Sequence, residues 1–498
     1  MLESVKQAKI GSIVPVYKEI NEEIDALEYF AKLSDYGNKK NSMLIEDNEK
    51  SFGSVNPCLK LTGKGIDFEI APLNSLGKKV LDFIKKDFKF CDKAMYSKGK
   101  LIGKLTPATR AVSEQEKLKL KTHLDIIRAI AFKFKPTNKS FCGLFGMISD
   151  DFSNKAEDTS EDLIKDPDYI FYFIDNMFVV DHKTKKTYFA ANALITDKNN
   201  EKVHHECIKT INNYEKIISK KAPKGKKPKK KELKLSYDVS KEEFLGVMKN
   251  LKRAIVDGNI LYASPSRTAV TTYNSEPLDI FVQLKTAGNN AFYINDGLGM
   301  TIGSSGKTNL AVKNEKSVEL KISTAARPRG KVKDEIEKDL DNKYEVLLKV
   351  DENEISYNMM LVDAARNDIA RVSETRYVDK MFVVDKHDEL QSLISTVKGT
   401  LKEDLDALHA YAAVINPGVT RGMPKTRLKG FSSGSVLYVT PDKDLQSFVA
   451  EPIRIKKDKA FIDASCRIFH NSNDNEEFKV CSQKERKLLD AIKLGGLK

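Results

Sequence analysis

With 498 residues, 41% of them hydrophobic and 31% charged, and with 24 Phe and 17 Tyr, the chain carries enough apolar surface to offset the entropy of ordering, which excludes disorder. No segment reaches the roughly eighteen consecutive apolar residues of a spanning helix, and residues Met1 to Ile20 are charged throughout, so neither a membrane span nor a signal peptide is expected and the protein reads as cytoplasmic. The net charge of +13 invites an anionic partner such as nucleic acid, but much of that charge is local.

In chain order, Tyr169 to Val180 and Thr187 to Ala193 are strand-like runs around the turn DHKTKK, a hairpin pattern. Lys220, Lys221, Lys224, Lys226, Lys227, Lys229, Lys230, Lys231 and Lys234 then crowd one Pro- and Gly-punctuated stretch. Like charges at that density repel and stay solvated, so this is a flexible linker first and an anion-binding patch second; no aromatic side chains are interleaved to stack on bases. Next comes a well-marked amphipathic helix, opened by Ser240 and Glu243 in capping-box spacing, carrying Phe244, Met248, Leu251 and Ile255 on one face, and stopped by Gly258. Ala291 to Ile294 and Val318 to Ile322 read as strands, Asp334 to Arg371 as a long helix with room for a break, and Ser482 to Lys493 as a closing helix. Six widely spaced cysteines form no CxxC pair and read as reduced structural thiols. The expected organisation is an α+β N-terminal domain over residues 1–219, a lysine-rich linker at 220–234 and a larger α+β domain over 235–498.

Several segments of the last domain, taken together, resemble one family. They are ARPRG (Ala326 to Gly330), MLVDAARNDIARV (Met360 to Val372), RYVD (Arg376 to Asp379), DLDALHAY (Asp404 to Tyr411) and the glycine-proline-lysine skeleton from Gly418 to Lys425, with GNILYASPSR (Gly258 to Arg267) and CGLF (Cys142 to Phe145) upstream. Their order is similar to that of anthranilate synthase component I among the chorismate-utilising enzymes. The resemblance implies a two-sheet sandwich flanked by helices, with the N-terminal domain interleaved with the core and a chorismate pocket between the sheets. It also implies magnesium as cofactor, ammonia from a glutamine amidotransferase subunit, a role in tryptophan biosynthesis and tryptophan inhibition at an N-terminal site.

The residues standing at the family's working positions differ in kind. Magnesium is a hard cation that takes carboxylate oxygens, which the family supplies as Glu-x-x-Glu pairs on one helix face. Here the pairs align with Glu354 and Tyr357, and with Glu477 and Val480, so each keeps its first member and loses its second. The acid-base histidine position is Ser392, which cannot carry a proton near neutrality as imidazole does. His387 would sit about one and a half turns upstream on a helix, facing elsewhere, and reads as an ordinary histidine. By resemblance the pocket walls are Ala325, Ala326 and Arg327, Tyr262 in place of glutamine, Pro452 in place of a carboxylate-clamping arginine, and Ser465, Cys466 and Arg467 in place of a glycine-rich turn. Ser305, Gly306 and Lys307 reverse the charge of a family SPE. Lys425 and Tyr438 match pocket positions, as relics or as binders of a different anion, and Asp47 stands where the inhibitor site has serine.

The polar residues Asp363, Arg366, Asn367 and Asp368 read as scaffold, and Asp404, Asp406 and His409 as capping or solvated groups. Three functions follow in order. The first is a homologue that has lost chorismate turnover, a pseudoenzyme with the magnesium site gone, no cofactor expected, and an amidotransferase-type subunit, a paralogous synthase or a repurposed small molecule to bind. The second is a working chorismate enzyme using magnesium. The third is anion or nucleic-acid binding through the lysine stretch.

Overall fold

The computed structural model describes residues 2–47, 49–107, 116, 118–149, 152, 166–223, 225, 234–285, 290–305, 309–332, 335–386, 390–414, 422–423, 434–450 and 452–495, the side chains of 305, 309, 325, 326, 422, 423 and 450 excepted. His387, Lys425, most of the lysine stretch and most of the Gly418 to Lys425 skeleton therefore lie outside the described residues, as do the side chains of Ala325 and Ala326.

Two twelve-stranded sheets dominate the described chain. The first runs from Leu235–Tyr237 at one edge to Lys135–Pro136 at the other, the second from Ser373–Lys386 to Lys93–Ser97. Both are continuous between early and late parts of the chain. Asn290–Asn295 pairs antiparallel with Ser42–Glu46 in the first sheet, and Gly434–Val439 pairs with Gly143–Ser149 in the second. The α+β sandwich flanked by helices is the fold the sequence leads one to expect.

Period-two alternation sorts the strand side chains into layers. Along Tyr169–Ile174, Tyr169, Phe171 and Phe173 enter the helix-covered core of the second sheet, while Ile170, Tyr172 and Ile174 enter the layer between the sheets. Along Asn290–Asn295, Phe292 and Ile294 face that shared layer and Ala291 and Tyr293 face the helices of the first sheet. A strand buried on both faces reads as a continuous apolar run, and this is why Tyr169 to Val180 looked like one strand. It is two: Tyr169–Ile174 lies in the second sheet and Asn176–Asp181 in the first, with the chain crossing at the buried Asp175.

The Lys241–Val256 helix has the anticipated capping box, Glu243 N–H donating to Ser240 Oγ at 3.2 Å and Ser240 N–H to Glu243 Oε2 at 2.8 Å. The long helical stretch is two helices, Lys338–Lys349 and Glu352–Val372, the second restarted by Asp351 as its cap. The closing helix begins well before Ser482, at Asp474, because Asn473 caps the backbone N–H groups of Asn475 and Glu476, and Phe478 and Cys481 already face the core. The segment carrying Ser392 is not helical. Leu390–Leu401 is a strand hydrogen-bonded on both sides, Ser392 opposite Ala326 in one neighbour and Asp385 in the other. Its burial alternates at the start and its middle is β-branched, Ile394, Thr396 and Val397, which favours the pleat. All six cysteines are free thiols, and no helix among the described residues is long and apolar enough to cross a membrane.

Candidate functional site

The site assembles around a single backbone bridge. Ala263 and Ile468 exchange two hydrogen bonds, of 3.1 and 2.8 Å, which sets Tyr262 on one side and Arg467 and Phe469 on the other. Helix Glu352–Val372 completes it. Asp351 accepts the Glu354 N–H at 3.3 Å, and the three-residue spacing puts Glu354 and Tyr357 on one face.

Three rings pack there. Tyr262 meets Tyr357 edge-on at 5.4 Å and stacks on Phe469 at 5.8 Å, and Phe469 meets Tyr357 edge-on at 5.3 Å. Such pairs add about 0.5–1.5 kcal/mol each to the burial of their area. Tyr262 is fully buried and Tyr357 is 2% exposed, yet neither hydroxyl completes a hydrogen bond. Burial pushes the Tyr262 phenol well above its usual range and the Tyr357 phenol up to about 12, so both stay neutral near pH 7.

Over the Tyr357 ring, 4.6 Å from its centre, lies the guanidinium of Arg467. It forks onto Glu354, Nη1 to Oε2 at 3.2 Å and Nη2 to Oε1 at 3.4 Å. Glu477, in the first turn of the Asp474–Leu494 helix, accepts from Ser472 Oγ at 3.4 Å. Burial pushes its carboxyl up and Arg467 pulls it back down. Val480, one turn on, is 43% exposed. Among the described residues no group of three or more His, Cys, Asp or Glu side chains is arranged to hold a metal ion. Of the four positions that resemblance gives to magnesium, Glu354 is committed to a guanidinium, Glu477 accepts from Ser472, and a neutral phenol and a valine hold the other two, a donor set short of the oxygens a hard cation takes.

The remaining positions named from the sequence disperse. Ser392 is half-buried on its strand, and the Glu352–Val372 helix reaches that strand through Asn358, whose Oδ1 accepts from Ser395 Oγ at 2.6 Å. Arg327 donates to the capping Asp351 at 3.3 Å. Ser465 ends a strand and its carbonyl accepts from Lys484 Nζ at 2.7 Å. Cys466 is buried, with its thiol against that of Cys481 and its carbonyl accepting from Ser264 Oγ at 2.9 Å. Pro452 lies across from Gly303, where an added Cβ would come within 3.3 Å of the proline Cα. Tyr438 stacks on Phe145 at 5.2 Å and donates to Gln446 at 2.6 Å; it keeps company with Asp47, not with the Tyr262 cluster. Asp47 closes a tight turn by accepting the N–H groups of Glu49 and Lys50, both at 2.7 Å. Asp406 caps the Ala407–Val414 helix at Leu408 and His409 and takes Arg128 Nε at 2.7 Å.

Sequence reading missed two members of this cluster. Phe469 was not singled out, although alternation with the buried Ile468 puts it on the pocket side. Arg467 stands in the sequence only as a residue in place of a glycine-rich turn, and its pairing with Glu354 emerges in the fold.

Comparison with known proteins decides the family. The profile of the chorismate binding enzyme family matches residues 94–490, most of the chain. The chain belongs to that family. As a chorismate-binding family member it is 26% identical to anthranilate synthase component 1 of Vibrio cholerae over 469 residues, covering 90% of this chain and 89% of that one. It is 27% identical to anthranilate synthase component 1 of Escherichia coli over 485 residues, 92% of each chain. Among solved structures, anthranilate synthase component I from Streptococcus pneumoniae TIGR4 superposes with a TM-score of 0.67 at 20% identity, covering 88% of this chain and 92% of that one. MenF, the menaquinone-specific isochorismate synthase of Escherichia coli, superposes at 0.64 with 12% identity, over 99% and 98%. At those identities the structures carry the fold. The resemblance to anthranilate synthase component I thus extends over most of the chain in sequence as well as in architecture.

Proposed function

We propose that this chorismate-binding family member is an anthranilate synthase component I homologue that no longer turns over chorismate and serves as a binding or regulatory protein in aromatic, tryptophan-directed biosynthesis. One observation carries the reading: Tyr262, Tyr357, Phe469 and Arg467 pack into the place where resemblance calls for open carboxylates and small residues. Amine-for-hydroxyl exchange and loss of pyruvate need a cation on the substrate carboxylate and a group that moves a proton to the departing oxygen. Neutral phenols, a valine and a strand serine offer neither. The partner positions then fall to a glutamine amidotransferase-type subunit or a paralogous synthase, and the working compartment to the cytoplasm. The test is a steady-state assay with chorismate, magnesium and ammonia, read by anthranilate fluorescence. The expected outcome is no anthranilate above a heat-killed control, and formation at ordinary enzymatic rates sinks the reading. A working chorismate enzyme remains the second reading, favoured by the match over residues 94–490; calorimetric chorismate binding that tightens with magnesium would favour it in turn.

A further inference from the structure

The geometry points to Arg467 as a resident cation: its guanidinium, forked onto Glu354 and laid over the Tyr357 ring, occupies the acidic site and keeps divalent metal out. This inference rests on the reading just given and assigns a cause to the poor fit of magnesium.

The two glutamates come from different helices, Glu352–Val372 and Asp474–Leu494, and Arg467 comes from the segment after strand Lys459–Ser465. Two carboxylates brought together without a cation would repel, and each would hold a desolvation cost. Arg467 removes both problems. It takes Glu354 in a fork and lies within electrostatic reach of Glu477, which also faces its backbone N–H. The planar head is held over the Tyr357 ring, a seat that suits guanidinium far better than a hydrated metal ion. Its position is fixed from behind by the Ala263–Ile468 bridge immediately following it. Tyr357 and Arg467 therefore act as a matched pair: the tyrosine removes a ligand that a metal needs and offers the ring that the arginine uses.

Removing the guanidinium should uncover a latent cation site. The probe is Mn2+ alone, followed by the loss of its free six-line EPR signal, with full-length wild type, Arg467→Gln, Arg467→Lys and the double variant Arg467→Gln with Glu354→Gln. Wild type and Arg467→Lys are expected to leave the signal unchanged, since both keep a cation in place. Arg467→Gln should bind Mn2+ at least about tenfold more tightly than wild type and gain melting temperature on adding it, because the ion binds only the folded state. The double variant should lose both effects. A folded Arg467→Gln protein that gains no Mn2+ affinity overturns the proposal. So does wild-type binding of Mn2+ that Glu354→Gln abolishes, a comparison that stands if Arg467→Gln does not fold. Anthranilate formation bears on the preceding reading only, and the metal titration decides this one whatever that assay gives.

Discussion

Asp341 and the Tyr262–Tyr357 pair are both buried, and they are opposites in how their polar atoms are met. Asp341 accepts from Arg329 at 2.8 and 3.1 Å, the Gly330 N–H at 3.0 Å, Lys386 at 2.9 Å and Gln391 at 3.4 Å. The two tyrosine hydroxyls, set against each other, complete no well-formed hydrogen bond. Two partners of the first, Arg329 and Gly330, come from the ARPRG segment that carries the family resemblance; the second stands where the family pattern is broken. A motif that persists can do so because its charges close a framework, and a replaced site can be held by ring packing and one ion pair. Resemblance of a motif therefore says little about whether the chemistry beside it survives.

Breaking the closed network should have the largest effect. Asp341→Ala takes from Arg329 the carboxylate it forks onto and leaves Lys386 with Glu345, and urea denaturation is expected to show a loss of about 3 kcal/mol. The bond to Arg329 holds the Asp341 carboxyl well below the usual carboxylate range. Its contribution is present above about pH 4 and lost as pH falls below that, so the variant should also flatten acid denaturation. Asp175, where the chain crosses between sheets, runs the other way. Asn176 donates to one of its oxygens at 3.0 Å and the other completes no hydrogen bond. Burial raises its pKa from 3.8 to about 6. The folded state thus holds the proton more tightly than the unfolded one, and wild type should lose up to about 3 kcal/mol between about pH 4 and pH 7. Asp175→Asn is expected to remove that slope and to be the more stable protein at neutral pH. A steeper loss in the variant would show that the charge is compensated.

The fold was legible because its signals are local or patterned. The Ser240–Glu243 box, the Phe244 to Ile255 stripe and the alternation at Ala291 to Ile294 each act within a few residues. The crossing at Asp175 was not, because a strand buried on both faces continues into the next without a break in apolarity. The strand carrying Ser392 was hidden for another reason: nothing in VDKHDELQSL sets period two apart from period 3.6 until the neighbours pair with the strand. For the site, the loss of carboxylates at Tyr357 and Val480 could be read by residue type. The gain of a guanidinium could not, since Arg467 and Glu354 are 113 residues apart in sequence and meet only in the folded chain.

Two smaller changes sharpen the contrast. Glu354→Gln keeps the shape of the acceptor and removes its charge. The pair is about a quarter exposed, with side chains at 25% and 29%, so water screens it. The expected cost is about 1 kcal/mol, reduced further in high salt, against the larger loss at Asp341. Tyr357→Phe should do least. The hydroxyl it deletes is buried and has no well-formed partner, so no hydrogen bond is lost and a desolvation penalty is relieved. The ring stays in contact with Tyr262, Phe469 and the Arg467 guanidinium. Stability should move by less than about 1 kcal/mol, and toward the variant if at all. A loss well beyond that would mean that the phenol oxygen is engaged with Arg467 in solution, and the tyrosine would then belong with Asp341 among the closed polar groups and not with the rings.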